Sequence, residues 1–177
     1  MNNRITNPVG VDVEIDKIQK KTYTKLVELW GNLDMYGRVH KVTTKDGVSV
    51  ERFLGNGEYE KVLFSEGNKV FFLQGDNPSF NLGTTSNDVW MICILDVNAV
   101  RPLQHRGDEE AHMDVVTILS DFMPLSNITA VEYEIANLSR VVEEPFQLTN
   151  FNMTDIHPFH VFMVKFKVNY SLIKNIR

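Results

Sequence analysis

The stretch FMVKFKVNYSL, Phe162 to Leu172, decides the fold. Every second residue is apolar (Phe162, Val164, Phe166, Val168, Tyr170, Leu172), with Lys165, Lys167, Asn169 and Ser171 between them. Strict period-two alternation predicts an antiparallel strand with one face on a core and the other turned to water or a neighbouring subunit. This stretch is therefore part of the architecture, and the rest of the chain has to supply the core it packs on.

Working outward, Ile128 to Ile135 alternates in the same way, with Val131, Tyr133 and Ile135 against Glu132 and Glu134. VWMICILDV, Val89 to Val97, has no polar face until Asp96, which predicts a central strand covered on both sides. Lys45-Asp46-Gly47 between Arg38–Thr44 and Val48–Leu54 predicts a β-hairpin, because Asp-Gly supplies the positive φ angles of a tight turn. Two more strands are expected around Glu60–Phe64 and Lys69–Gln74, and a long polar loop from Gln74 to Asp88. Ile18, Tyr23, Leu26, Val27, Trp30 and Leu33 recur at helical spacing, giving an amphipathic helix from about Asp16 to Leu33 with Asp16 at its N-cap and Gly31-Asn32 at its end. A second helix, with Ala111, Val115, Val116, Leu119, Phe122 and Met123 on one face, follows an acidic first turn and stops at Pro124. The fold class is α+β: residues 1–15 form an N-terminal arm, awaiting a partner to order it, and 16–177 a single domain. That domain is a mainly antiparallel sheet with two principal helices packed against it. From Ala136 to His160 the pattern blurs into a long excursion.

The 177 residues, 43% of them hydrophobic and 23% charged, suffice for a core without disulfide staples, and Cys93 is the sole cysteine. No charged-then-apolar leader opens the sequence, so synthesis in a reducing cytoplasm is expected. The longest apolar run, Val89–Leu95, is too short to span a bilayer, and no membrane association is expected. A net charge of −5 without a Lys/Arg run argues against a protein that grips nucleic acid through its phosphates.

No residue pattern announces catalysis. His105, Glu109 and His112 lack the i, i+4 histidine spacing of a zinc-binding helix, and His157 and His160, three apart in an extended segment, point to opposite faces. These read as surface and loop histidines, the alternative being a combined metal site in a small metal-dependent enzyme. Cys93 sits among Met91, Ile92, Ile94 and Leu95, which predicts core packing over nucleophilic chemistry. Gly55-Asn56-Gly57 is followed by Glu58-Tyr59-Glu60 and reads as a turn, not a phosphate cradle. Phe80, Phe146, Phe151 and Phe159 fall in polar or loop-like segments, where an aromatic either pins a loop to its own core or buries against a partner. They are the candidate oligomer-interface residues. No catalytic, cofactor-binding or metal residue is assigned.

The order of these elements, with Asp88-Val89-Trp90-Met91-Ile92-Cys93-Ile94-Leu95, His105-Arg106-Gly107-Asp108-Glu109-Glu110, an apolar helix and His157-Pro158-Phe159-His160 leading into the last strand, resembles the neck and tail-terminator (tail completion) proteins of tailed bacteriophages. Within that group it resembles in particular the neck ring proteins of crAss-like phages. The resemblance covers most of the chain from Gly55 onward and is one of layout. It implies a tail-terminator-like fold and a non-enzymatic virion protein, made in the host cytoplasm. Its partners would be further copies of itself in a hexameric or dodecameric ring, other neck, portal or tail proteins, and DNA only passing through the lumen. At −5 per subunit a ring of six would carry roughly −30, a lining along which DNA slides. Basic lumen loops would count against this, and Lys41, Lys45 and Arg52 mark the hairpin where they would occur. The glycine in Arg106-Gly107-Asp108, the long 136–155 excursion and the basic Lys174–Arg177 would also suit an adaptor or stopper ring. A cytosolic adaptor that takes a peptide along a strand edge is a third reading.

Overall fold

The computed structural model describes residues 1–45, 47–55, 57–62, 67–101, 107–122, 127–134 and 158–171. Among them are nine strands, β1 (Asn2–Asn3), β2 (Asp34–Thr44), β3 (Gly47–Gly55), β4 (Glu58–Lys61), β5 (Lys69–Gln74), β6 (Ser79–Asn81), β7 (Thr84–Asp96), β8 (Ile128–Glu134) and β9 (Phe159–Tyr170). The helices are α1 (Val11–Trp30), the single-turn α2 (Val97–Val100) and α3 (Gly107–Phe122). The strands form one sheet in the order β4-β3-β2-β5-β7-β9-β8, with β1 on β2 and β6 on β7. Most pairings are antiparallel, as expected, but β2 runs parallel to both β1 and β5, which makes the sheet mixed.

The last strand is the one the alternation predicted. Phe162, Val164, Phe166, Val168 and Tyr170 are buried in the larger core beneath α1 and α3, joined there by Met35, Val70, Phe72, Val89, Met91, Cys93 and Leu95. Its other face is divided, however. Val161 and Met163 enter a second core with Tyr36, Val39, Val50, Val62, Phe71, Leu73 and Ile92, so only the later part of that face, Lys165, Lys167 and Asn169, is polar. β7 is covered on both sides, as its apolar run required, with alternate residues in the two cores. After a register shift between Met35 and Arg38, β2 pairs with β5 once more at Arg38 and from Val39 onward with β3, whose Val50 joins the second core.

Three expectations are corrected. The first helix begins at Val11, not Asp16, and its N-cap is Gly10. Two of the buried polar residues of its first turns have partners outside the helix: Arg4 Nε donates to Asp16 at 2.7 Å, and Gln19 Nε2 to Asn2 Oδ1 at 2.8 Å. The opening residues lie on their own sheet, with Asn2 and Asn3 beside Met35 and Tyr36 and the Met35 amide donating to the Met1 carbonyl at 2.8 Å. Finally, the polar stretch from Gln74 to Asp88 contains a hairpin, β6 turning into the start of β7 through Leu82-Gly83. Gly83 has φ +79°, a backbone that other residues adopt at a cost. β7 therefore begins five residues before its apolar run, and the positions it buries there, Thr85 and Asn87, are polar and lack the apolar pattern of a buried strand.

Candidate functional site

Besides Met1, Val9, Leu29, Leu54, Tyr59 and Met113, three large apolar side chains among the described residues are exposed, at the two ends of β7. Phe80 on β6 is 70% exposed and Leu82 at the hairpin turn fully exposed. Phe159, at the start of β9, is 60% exposed. Phe146 and Phe151 lie outside the described residues. The structure does not gather Phe80 and Phe159 into one patch: Phe80 pairs with Thr85 at one end of β7 and Phe159 with Asp96 at the other. At roughly 3.3 Å per residue the two positions are about 35 Å apart along the strand. They form two separate apolar ends of one sheet. Leu82 is hard to single out in the sequence because the residues around it read as a polar loop; the turn pair Leu-Gly between Ser79-Phe80-Asn81 and Thr84-Thr85 is the available signal.

The expected surface histidine at 112 is instead buried, 5% exposed, on the core-facing side of α3. Its Nε2 lies 2.7 Å from Nε2 of His160 on β9, and its ring meets Phe162 edge-on at 4.5 Å between centroids. Two histidines that spacing kept apart are thus brought together by the packing of α3 on β9. The carboxylates of Asp108 and Glu109 attract a proton toward His112, but burial first, and the neighbouring His160 second, hold its pKa below the ordinary histidine value. Among the described residues no three His, Cys, Asp or Glu side chains converge as ligands to a metal. His105 and His157 lie outside those residues.

Where β2 and β5 diverge, a cleft of about 390 Å³ opens between Arg38, Val39, His40 and Lys41 on one wall and Leu73, Gln74, Gly75, Asp76 and Pro78 on the other. Arg38 is committed within it, donating through Nη2 to Asp12 at 2.8 Å and bonding Gln74. Burial and Arg38 together push the His40 pKa down. Nothing in the sequence spacing distinguishes His40. In the basic hairpin Lys41 and Lys45 are exposed, while Arg52 is held against Glu60 and stacks over Tyr36 at 5.1 Å. Cys93 is buried, as expected, and burial pushes its thiol pKa up, away from the reactive thiolate.

Compared with protein-family models, curated proteins and solved structures, the chain matches none. No described helix is long and apolar enough to cross a membrane.

Proposed function

We propose that this chain is a structural subunit of a ring at the head–tail junction of a tailed bacteriophage, a neck or tail-terminator component that encircles a channel for DNA. The observation that carries the reading is the placement of Phe80 and Leu82 at one end of the β7 sheet and Phe159 at the other. Two unlike apolar patches on opposite ends of a rigid sheet suit a head-to-tail contact between copies, and such contacts close into rings when the rotation permits. Both patches stand on paired strands anchored in two cores, so the spacing between them is fixed by the fold. The resemblance in layout to tail-terminator proteins favours the virion neck as the ring's location, where it would join portal and tail components. The net charge of −5 per subunit favours a surface that lets DNA pass without gripping it.

The test is the mass of the full chain by light scattering, with negative-stain images of the same fraction. A closed ring is expected. The double variant F80D/L82D is expected to leave a folded monomer, because both side chains lie outside the cores. A wild-type chain that stays monomeric both purified and in particles would refute the reading.

A further inference from the structure

The His112–His160 contact has the geometry of a shared proton. The nitrogens are 2.7 Å apart and the ring centroids 4.9 Å, nearly the nitrogen separation plus the two ring radii, so the two imidazoles meet almost head-on. That alignment is what an N–H···N hydrogen bond requires, one ring donating and the other accepting. A chelated metal would instead need both lone pairs aimed at a common apex to one side. A neutral pair makes this bond, and a singly protonated pair makes it too. A doubly protonated pair has no acceptor and places two positive charges in contact.

We propose that His112 and His160 form a proton-sensitive clasp between α3 and the start of β9, closed while the pair carries no more than one positive charge and opened as acid adds the second. Among the described residues, the charges around the pair offset the repulsion only in part. On α3, Asp108 and Glu109 face His112 and oppose burial only in part. On β7, Asp96 stands across from Phe159, next to His160, but its carboxylate accepts from the Asn98 amide at 3.0 Å. Arg101, between α2 and α3, is turned to Glu110 and Asp114. Phe162 offers an aromatic edge and face, with no charge of its own. The sign follows from linkage: a histidine held below its unfolded value stabilises the fold above about pH 6.5, and that stability is lost as pH falls through the folded value. Opening would loosen the part of β9 that presents Phe159. The clasp stands whether or not the chain assembles, since it lies within one subunit.

The test is a pH titration of the imidazole resonances of the full-length protein by NMR, run with denaturant unfolding at each pH on wild type and H160Q. The amide introduced by H160Q keeps a hydrogen-bonding group beside His112 but cannot take up the second charge, and residue 160 is only partly buried, so this variant is expected to fold. In wild type the two rings should titrate as a coupled pair, one step falling well below the ordinary histidine range. The unfolding equilibrium constant should rise several-fold more in wild type than in H160Q between about pH 7.5 and 5, since the variant keeps the burial that lowers His112 and loses only the charge of the neighbouring ring. His40, also held low by burial, contributes equally to both proteins and drops out of the comparison. Two rings titrating independently near the ordinary value, or identical pH dependence in wild type and H160Q, would overturn the proposal.

Discussion

Trp30 closes α1 with its indole buried and its Nε1 donating to Asp114 of α3 at 2.7 Å, so one side chain both fills the core and ties the two helices together. Asp114 also holds Arg101, and this second partner limits what is lost when the indole goes. W30F is therefore expected to cost about 1–2 kcal/mol in denaturant unfolding, near the low end for a deleted bond to a charged acceptor. Gly75 makes a sharper case. It follows β5 with its amide donating to the Asp88 carbonyl at 2.8 Å, and a Cβ there would lie 3.0 Å from Trp90 and 3.2 Å from Asn87. G75A should lower stability by about 1–3 kcal/mol, as overpacking against a ring and a buried amide does, and a neutral result in the same unfolding assay would contradict that packing. Neither role is visible in the sequence, where Gly75 is one of several turn-forming residues and Trp30 one of several apolar residues on a helical face. The same holds for His112, whose burial depends on β9 arriving beneath α3 from a distant part of the chain.

At the scale of elements, legibility followed the cores. β9 and the apolar faces of α1 and α3 were readable because each buries a periodic stripe, and β7 because its apolar run is unbroken, the two signals that a single sequence carries strongly. The start of α1 was not, because VDVEID alternates like a strand and two of its acidic residues find their partners on other segments: Arg4 for Asp16 and Arg38 for Asp12. The β6–β7 hairpin was missed for the opposite reason, since the positions it buries on β7 are the polar Thr85 and Asn87 and β6 is exposed throughout, so no apolar stripe marks it. The Arg38 ion pair gives this a measurable form. Asp12 is 7% exposed and Arg38 25%, whereas Lys25 and Glu28 on the same helix are both more than half exposed and 3.7 Å apart. R38M leaves a buried carboxylate without its guanidinium and should cost about 2–4 kcal/mol, while K25M should change stability by less than about 0.5 kcal/mol. Equal losses in the two variants would mean that the helix start is not held by this buried pair.

For the molecule as a whole, the decisive property is that its uncovered apolar ends differ. If the Phe80–Leu82 end of one copy meets the Phe159 end of the next, each subunit carries one of each, and disabling either end breaks every contact in the ring. F80D/L82D and F159D should then each be monomeric alone. Mixed together they still possess one intact pair of ends, the hairpin of the F159D chain and the Phe159 end of the F80D/L82D chain, so the mixture should form a dimer that goes no further. A contact between like ends behaves differently: with paired hairpins F159D would dimerise by itself, and with paired Phe159 ends F80D/L82D would. Light scattering of the two variants, apart and in equal mixture, separates these cases. A dimer found only in the mixture would fix the contact as head-to-tail and assign both of its faces, whereas F159D that still forms rings would remove the β9 end from the interface.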